Sequence, residues 1–165
     1  MHPEVIEYMQ TVKERFPDHF EDSVVIEYGS KNINGSVRTM FEGGTYVGVN
    51  RDAGPGVDVV SRMHEYEHPC EVDVVVTTST MEHDKYLWES CDRCWEMLRS
   101  GGLFCGTTVN PGFPLHCPGE GEDNHYAGVE ANDLRDFLSV RAEEFEVLEG
   151  GSQGGTEVWF WAVKP

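Results

Sequence analysis

The 165-residue chain carries 30 Asp and Glu against 12 Lys and Arg, a formal net charge of −18. Such a surface repels phosphate backbones and anionic lipid, which sets nucleic acid and membrane partners aside. At this length a core of its own is expected without disulfide or metal staples, so residues 1–165 read as one domain.

The first element, within residues 1–17, places Val5, Met9, Val12 and Phe16 on one helical face and stops at Pro17. "SVVIEY" follows as a strand ending in Glu27, then a loop with Gly29 and Gly35, and the chain reads as a short helix around Val37 to Phe41. "TYVGV" (Thr45 to Val49) and "GVDVV" (Gly56 to Val60) are short strands. The turn between them is too short for a full crossover helix, although parallel strands usually need a dozen or more connecting residues.

"VDVVVTT" (Val72 to Thr78) is an apolar run without alternation, as expected for a strand covered on both faces of a parallel sheet. Leu87, Cys91, Cys94, Trp95 and Leu98 then recur at helical spacing, and Ser100-Gly101-Gly102 reads as the stop of that helix. "LFCGTTV" is the next strand, residues 109–130 a long loop, and "NDLRDFLSV" a helix with Leu134, Phe137 and Leu138 on one face. "EFEVLEG" and "TEVWFWAVK" close the chain as an antiparallel hairpin. Strands alternating with helices predict an α/β layered sheet, whose ligands sit beyond the carboxyl ends of its strands.

The opening residues Met1-His2-Pro3-Glu4 lack a basic segment followed by an apolar one, and the longest apolar runs have strand length. Five cysteines at irregular spacing do not make a secreted disulfide framework, so the cytoplasm is the expected compartment. Cys91 and Cys94 form a C-x-x-C on an apolar helix face. Core thiols are the plain reading, with a zinc site shared with His116 or Cys117 as the alternative. Trp159, Phe160 and Trp161 alternate on a strand. An exposed tryptophan there would mark a homodimer interface.

At the end of the first strand, Glu27 offers a carboxylate and the glycines allow a ligand to approach the backbone. The spacing is not the dinucleotide fingerprint, and no G-x-x-x-x-G-K-[ST] is present. Taken in order, "VVIEYGSKNINGSV", "TYVGVNRDAGPGVDVV", "VDVVVTTSTMEHD", "WEMLRSGGLFCGTT" and the run from "PGFPLHC" to "NDLRDFL" resemble the small class I S-adenosylmethionine-dependent methyltransferases of the methyltransferase type 11 kind, from about Val24 to Trp161.

That resemblance implies a Rossmann-like, doubly wound, mostly parallel seven-stranded sheet with a C-terminal antiparallel hairpin and no cap domain. It also implies S-adenosylmethionine as cofactor. Glu27, Tyr28, Gly29, Ser30 and Gly35 would face its methionine part, and Asn50, Arg51 and Asp52 its ribose. Arg62, Met63 and His64 would flank the adenine, and Thr77, Thr78 and Ser79 would line the methyl-sulfonium.

Two positions depart from the family pattern. Asn50 stands where an acid is usual, and Arg62, which cannot accept a hydrogen bond, where an Asp is common. The implied reaction is methyl transfer to a small-molecule or glycan-like acceptor, with His83 as the base for a hydroxyl acceptor and His116, His125 and Tyr126 contacting it. His83 capping the following helix is the plain alternative. Two further readings stay open: a non-catalytic protein that keeps the fold to bind a partner, and a metal-dependent enzyme using the histidines of 109–130.

Overall fold

The computed structural model describes residues 3–114, 125–151 and 156–165. The predicted contact residue His116 and the alternative zinc ligand Cys117 lie outside the described residues.

Helix α1 runs Pro3–Arg15, and Pro17 opens a 3-10 turn, Pro17–Phe20, rather than continuing it. The strands are β1 (Val24–Tyr28), β2 (Thr45–Asn50), β3 (Val59–Val60), β4 (Val72–Thr78), β5 (Leu98–Val109), β6 (Glu144–Gly150) and β7 (Glu157–Val163). Helices α2 (Leu87–Met97) and α3 (Ala131–Ser139) precede β5 and β6. All seven strands join one sheet in the order β3-β2-β1-β4-β5-β7-β6. They pair in parallel except for β7, which runs antiparallel to both β5 and β6. The expected α/β sheet and closing hairpin are therefore present.

Both faces are covered. On one, Tyr8, Met9 and Val12 of α1 pack with Val25, Val74, Val76, Leu103 and Cys105. On the other, Cys91 and Cys94 of α2 and Leu134 and Leu138 of α3 pack with Ile26, Val75, Phe104 and Phe160. Burial pushes both α2 thiols up from their ordinary value, as core thiols require. Trp161 is buried, and Trp159 stacks on Tyr8 with ring centroids 5.4 Å apart. Trp159 itself stays half-buried.

Three local expectations are corrected. The segment Val37 to Phe41 contains only a 3-10 turn, Arg38–Met40, so no α-helix joins β1 to β2. The strand expected from Gly56 shrinks to Val59–Val60. That resolves the short connection: the chain has only to return far enough to pair Val49 with Val59 and Asn50 with Val60.

Leu98 belongs to β5, not to α2, and Gly101 lies inside the strand with φ +72°. The β4–β5 register jumps there, from Val72 opposite Leu98 to Val74 opposite Leu103. The last carbonyls of α2 are capped from a distance. Lys164 Nζ donates to Trp95 O at 2.9 Å and Leu98 O at 2.7 Å. Among the described residues no helix is long and apolar enough to cross a membrane.

Candidate functional site

The strand order reverses between β1 and β4: from β1 the chain moves outward to β2 and β3, then returns to β4 on the other side. In an open α/β sheet this reversal leaves a crevice beyond the carboxyl ends of the strands. The loops after β1, β2, β3, β4 and β5 all start at that edge, so most of the predicted residues sit near it.

After β1, Gly29 takes φ +83°, a left-handed conformation that L side chains rarely adopt. Gly29 N and Ser30 N both donate to Val49 O, at 2.9 and 3.2 Å. The loop then leans on the connection after β2, where Asn32 N donates to Pro55 O at 2.8 Å. Gly35 is exposed with φ +131°, its N–H held by Asn32 Oδ1 at 2.9 Å.

Glu27 is buried, and burial raises its pKa. Tyr46 and Arg38 oppose that rise. Arg38 in turn pairs with Asp58 at 2.9 Å and donates to Tyr46 O at 3.1 Å. The carboxyl at the end of β1 thus faces a polar cluster built by β2 and its flanking loops. Tyr28 is committed elsewhere, its hydroxyl donating to the Asp84 carboxylate. Asp84 also accepts from Ser90 Oγ at 2.6 Å and Tyr86 N at 2.8 Å, which fixes the entry to α2.

Asn50 ends β2 with its amide donating to Asp52 O at 2.8 Å, and the Asp52 carboxylate pairs with Arg51 at 3.2 Å. Arg62 and His64 both meet Tyr86. The guanidinium lies 5.6 Å from the ring centroid, and the His64 ring centroid lies 4.3 Å away. Met63, between them, is buried. Tyr86 was invisible as a partner because nothing in its sequence spacing connects it to residues 62–64.

After β4, the fully buried Thr77 and the half-buried Thr78 lead into Ser79, which has φ +49° and donates its N–H to Thr107 O at 2.9 Å. Thr80 then turns back over β1: a β-carbon placed on Gly29 would stand 2.1 Å from Thr80 Oγ1. His83 meets the Tyr126 ring edge-on, centroids 5.2 Å apart. His125 lines a cavity of about 250 Å³ with Met81, Trp88, Glu130 and Asp133. The structure therefore brings the turn after β4 and the described part of the loop after β5 together.

Sequence reasoning missed two residues here. Thr80 directly follows the predicted Thr77–Ser79 run. Glu82 is fully buried beside His83, accepts from Thr108 Oγ1 at 2.9 Å, and has its pKa pushed up to about 7 by burial. The Glu-His pair in the sequence was the available signal for it.

No family model matches the chain, and no curated protein does. Solved structures do. An S-adenosylmethionine-dependent methyltransferase of Archaeoglobus fulgidus superposes with a TM-score of 0.67 at 15% identity, covering 96% of this chain and 94% of that one. The fold is that of the class I methyltransferases. The Burkholderia thailandensis 1,6-didemethyltoxoflavin-N1-methyltransferase, solved with that compound and S-adenosylhomocysteine, gives 0.67 at 14% identity over 95% of this chain and 78% of its own. The T. thermophilus 16S rRNA N2 G1207 methyltransferase, with AdoMet and guanosine, gives 0.67 at 15% identity over 100% of this chain and 44% of its own. One methyltransferase fold thus carries quite different acceptors, and identities this low speak for the fold alone.

Whether the crevice suits S-adenosylmethionine depends on its donors and acceptors. Ser30 Oγ and Thr77 Oγ1 are buried at the ends of β1 and β4 and have no hydrogen-bond partner among the described residues. Leaving such hydroxyls unpaired is costly, and a polar ligand at the crevice would satisfy them. With left-handed Gly29 after β1 and the half-buried Asn50 at the end of β2, this donor set fits the cofactor's polar parts.

Proposed function

We propose that this chain is an S-adenosylmethionine-dependent methyltransferase acting on a compact small-molecule or glycan-like acceptor. The observation that carries this reading is the pair of unpartnered hydroxyls, Ser30 and Thr77, beside left-handed Gly29 at the β1–β4 reversal of a methyltransferase fold.

Glu27, Gly29, Ser30 and the loop to Gly35 would hold the methionine part, with Tyr28 contributing backbone only. Asn50, buttressed by Arg51 and Asp52, would hold the ribose. Arg62, Met63 and His64 would flank the adenine, and Thr77, Thr78 and Ser79 would line the transferable methyl. When bound, the cofactor supplies a sulfonium methyl open to displacement by a nucleophile. The protein's own task is alignment of acceptor and methyl, which can contribute about 7–11 kcal/mol. His83 stands where the turn after β4 meets Tyr126, and takes the acceptor's proton when that acceptor is a hydroxyl. His125 and Tyr126 bound the acceptor side.

A second reading, a binding protein that keeps the fold, is favoured by Asn50. Its amide is turned onto Asp52 O, and the Asp52 carboxylate is already paired with Arg51. Calorimetric titration with S-adenosylmethionine and S-adenosylhomocysteine separates the two readings. Micromolar binding of both supports the enzyme. No heat from a cooperatively folded protein leaves the binding role.

A further inference from the structure

Thr80 lies over the point where β1 and β4 diverge. Strands β1 and β4 pair up to Tyr28 opposite Thr77 and then part company at Gly29 and Thr78. Ser79, a non-glycine residue at φ +49° tied to Thr107 O, directs the chain back across that gap. Both branches of the Thr80 side chain consequently lie against Gly29, for a β-carbon there would meet Oγ1 at 2.1 Å and Cγ2 at 2.2 Å. The glycine conformation that leaves room for a ligand is thus matched by a side chain that fills the room.

The plug is weakly held. Thr80 Oγ1 has one proton and two acceptors, Thr78 O at 3.2 Å and Gly29 O at 3.4 Å, both long for a hydroxyl donor. Thr77, with its unpartnered hydroxyl, stands in β4 opposite Tyr28 at the mouth of the same gap. A ligand that satisfies it there has to share that gap with Thr80.

We propose that Thr80 is an affinity-setting plug of the β1–β4 crevice, displaced when the methionine part of the cofactor enters. The inference rests on the adenosylmethionine reading above. It implies that the chain binds its cofactor more weakly than its crevice would allow, because each binding event must first move Thr80 aside.

The test is calorimetric titration of S-adenosylhomocysteine into the wild type, Thr80→Ala and Thr80→Val. Removing both branches should tighten binding at least fivefold, whereas Val, which keeps both branches, should stay within about twofold of wild type. Thr80→Ser, which keeps the hydroxyl and removes one branch, should fall between and serves if the Ala variant does not fold. Wild-type binding with an unchanged or weaker Thr80→Ala overturns the plug and leaves the adenosylmethionine reading standing. No heat from wild type and Thr80→Ala, both melting cooperatively, removes that reading and this inference together.

Discussion

The hydroxyl of Thr108 donates to Glu82 at 2.9 Å, and Glu82 has no exposed surface. Its second carboxyl oxygen has no hydrogen-bond partner among the described residues, and Glu157 adds a second acid in its surroundings. Burial is the largest reason its pKa rises to about 7, and the Thr108 bond only moderates it.

The sign of the pH effect follows. In the unfolded chain Glu82 ionises near 4.5, in the folded chain near 7, so between them the native state holds a proton that the unfolded state has lost. Its contribution to stability is full below about pH 4.5 and declines as pH rises through about 7. Glu82→Gln should match wild type near pH 4 and exceed it by up to about 3 kcal/mol at pH 8. Thermal melts of both proteins from pH 4 to 8 measure the difference, and a gap that does not grow with pH contradicts the argument.

Asp84 joins Tyr28 of β1 to the start of α2 through Ser90 Oγ and Tyr86 N. Asp84→Ala strands three donors at once, two of them on buried residues. Urea unfolding should show a loss of about 2–4 kcal/mol with an unchanged denaturant slope. A loss under about 1 kcal/mol would mean that water replaces the carboxylate.

Asn50 stands where the resemblance expects an acid. A carboxylate accepts a diol with charge-assisted bonds that an amide does not make. Asn50→Asp should therefore tighten S-adenosylhomocysteine binding by roughly 10-fold or more, read by calorimetry, at little cost in stability because Asn50 is only half-buried. Weaker binding in that variant would mean that the Asn50–Asp52 contact is needed as it stands.

For His83, chemistry and binding should separate. With a hydroxyl acceptor, His83→Ala should lower kcat by roughly 10²–10⁴ while leaving the S-adenosylhomocysteine Kd unchanged. A change in Kd with kcat intact would assign His83 to packing against Tyr126 instead.

Elements with their own apolar signature were legible in the sequence. The unbroken run of β4 and the β6–β7 hairpin stand where their patterns put them, because burial of those strands is written locally. Leu98 was misassigned for the same reason: it continues the four-residue spacing of α2, yet it is buried as the first residue of β5. Leu98 turns extended into β5, and the carbonyls left open there are held by Lys164, a residue far along the chain.

The crevice was legible only as a set of loops. Gly29, Ser30 and Thr77 came from motif order, but that Tyr28 turns to Asp84, that Asn50 turns to Asp52, and that Thr80 covers Gly29 are decided by three-dimensional neighbours. Tyr46 and Arg38 surround Glu27 for the same reason, since β2 pairs with β1 only after the sheet forms.

The Lys164 ammonium has one more consequence, for how the molecule opens. By holding Leu98 O across 66 residues of sequence, it closes the stretch from the end of α2 to the end of β7 into a ring. Amides on either side of that tether, in the last turn of α2 and the tail of β7, should exchange with solvent as one cooperative unit.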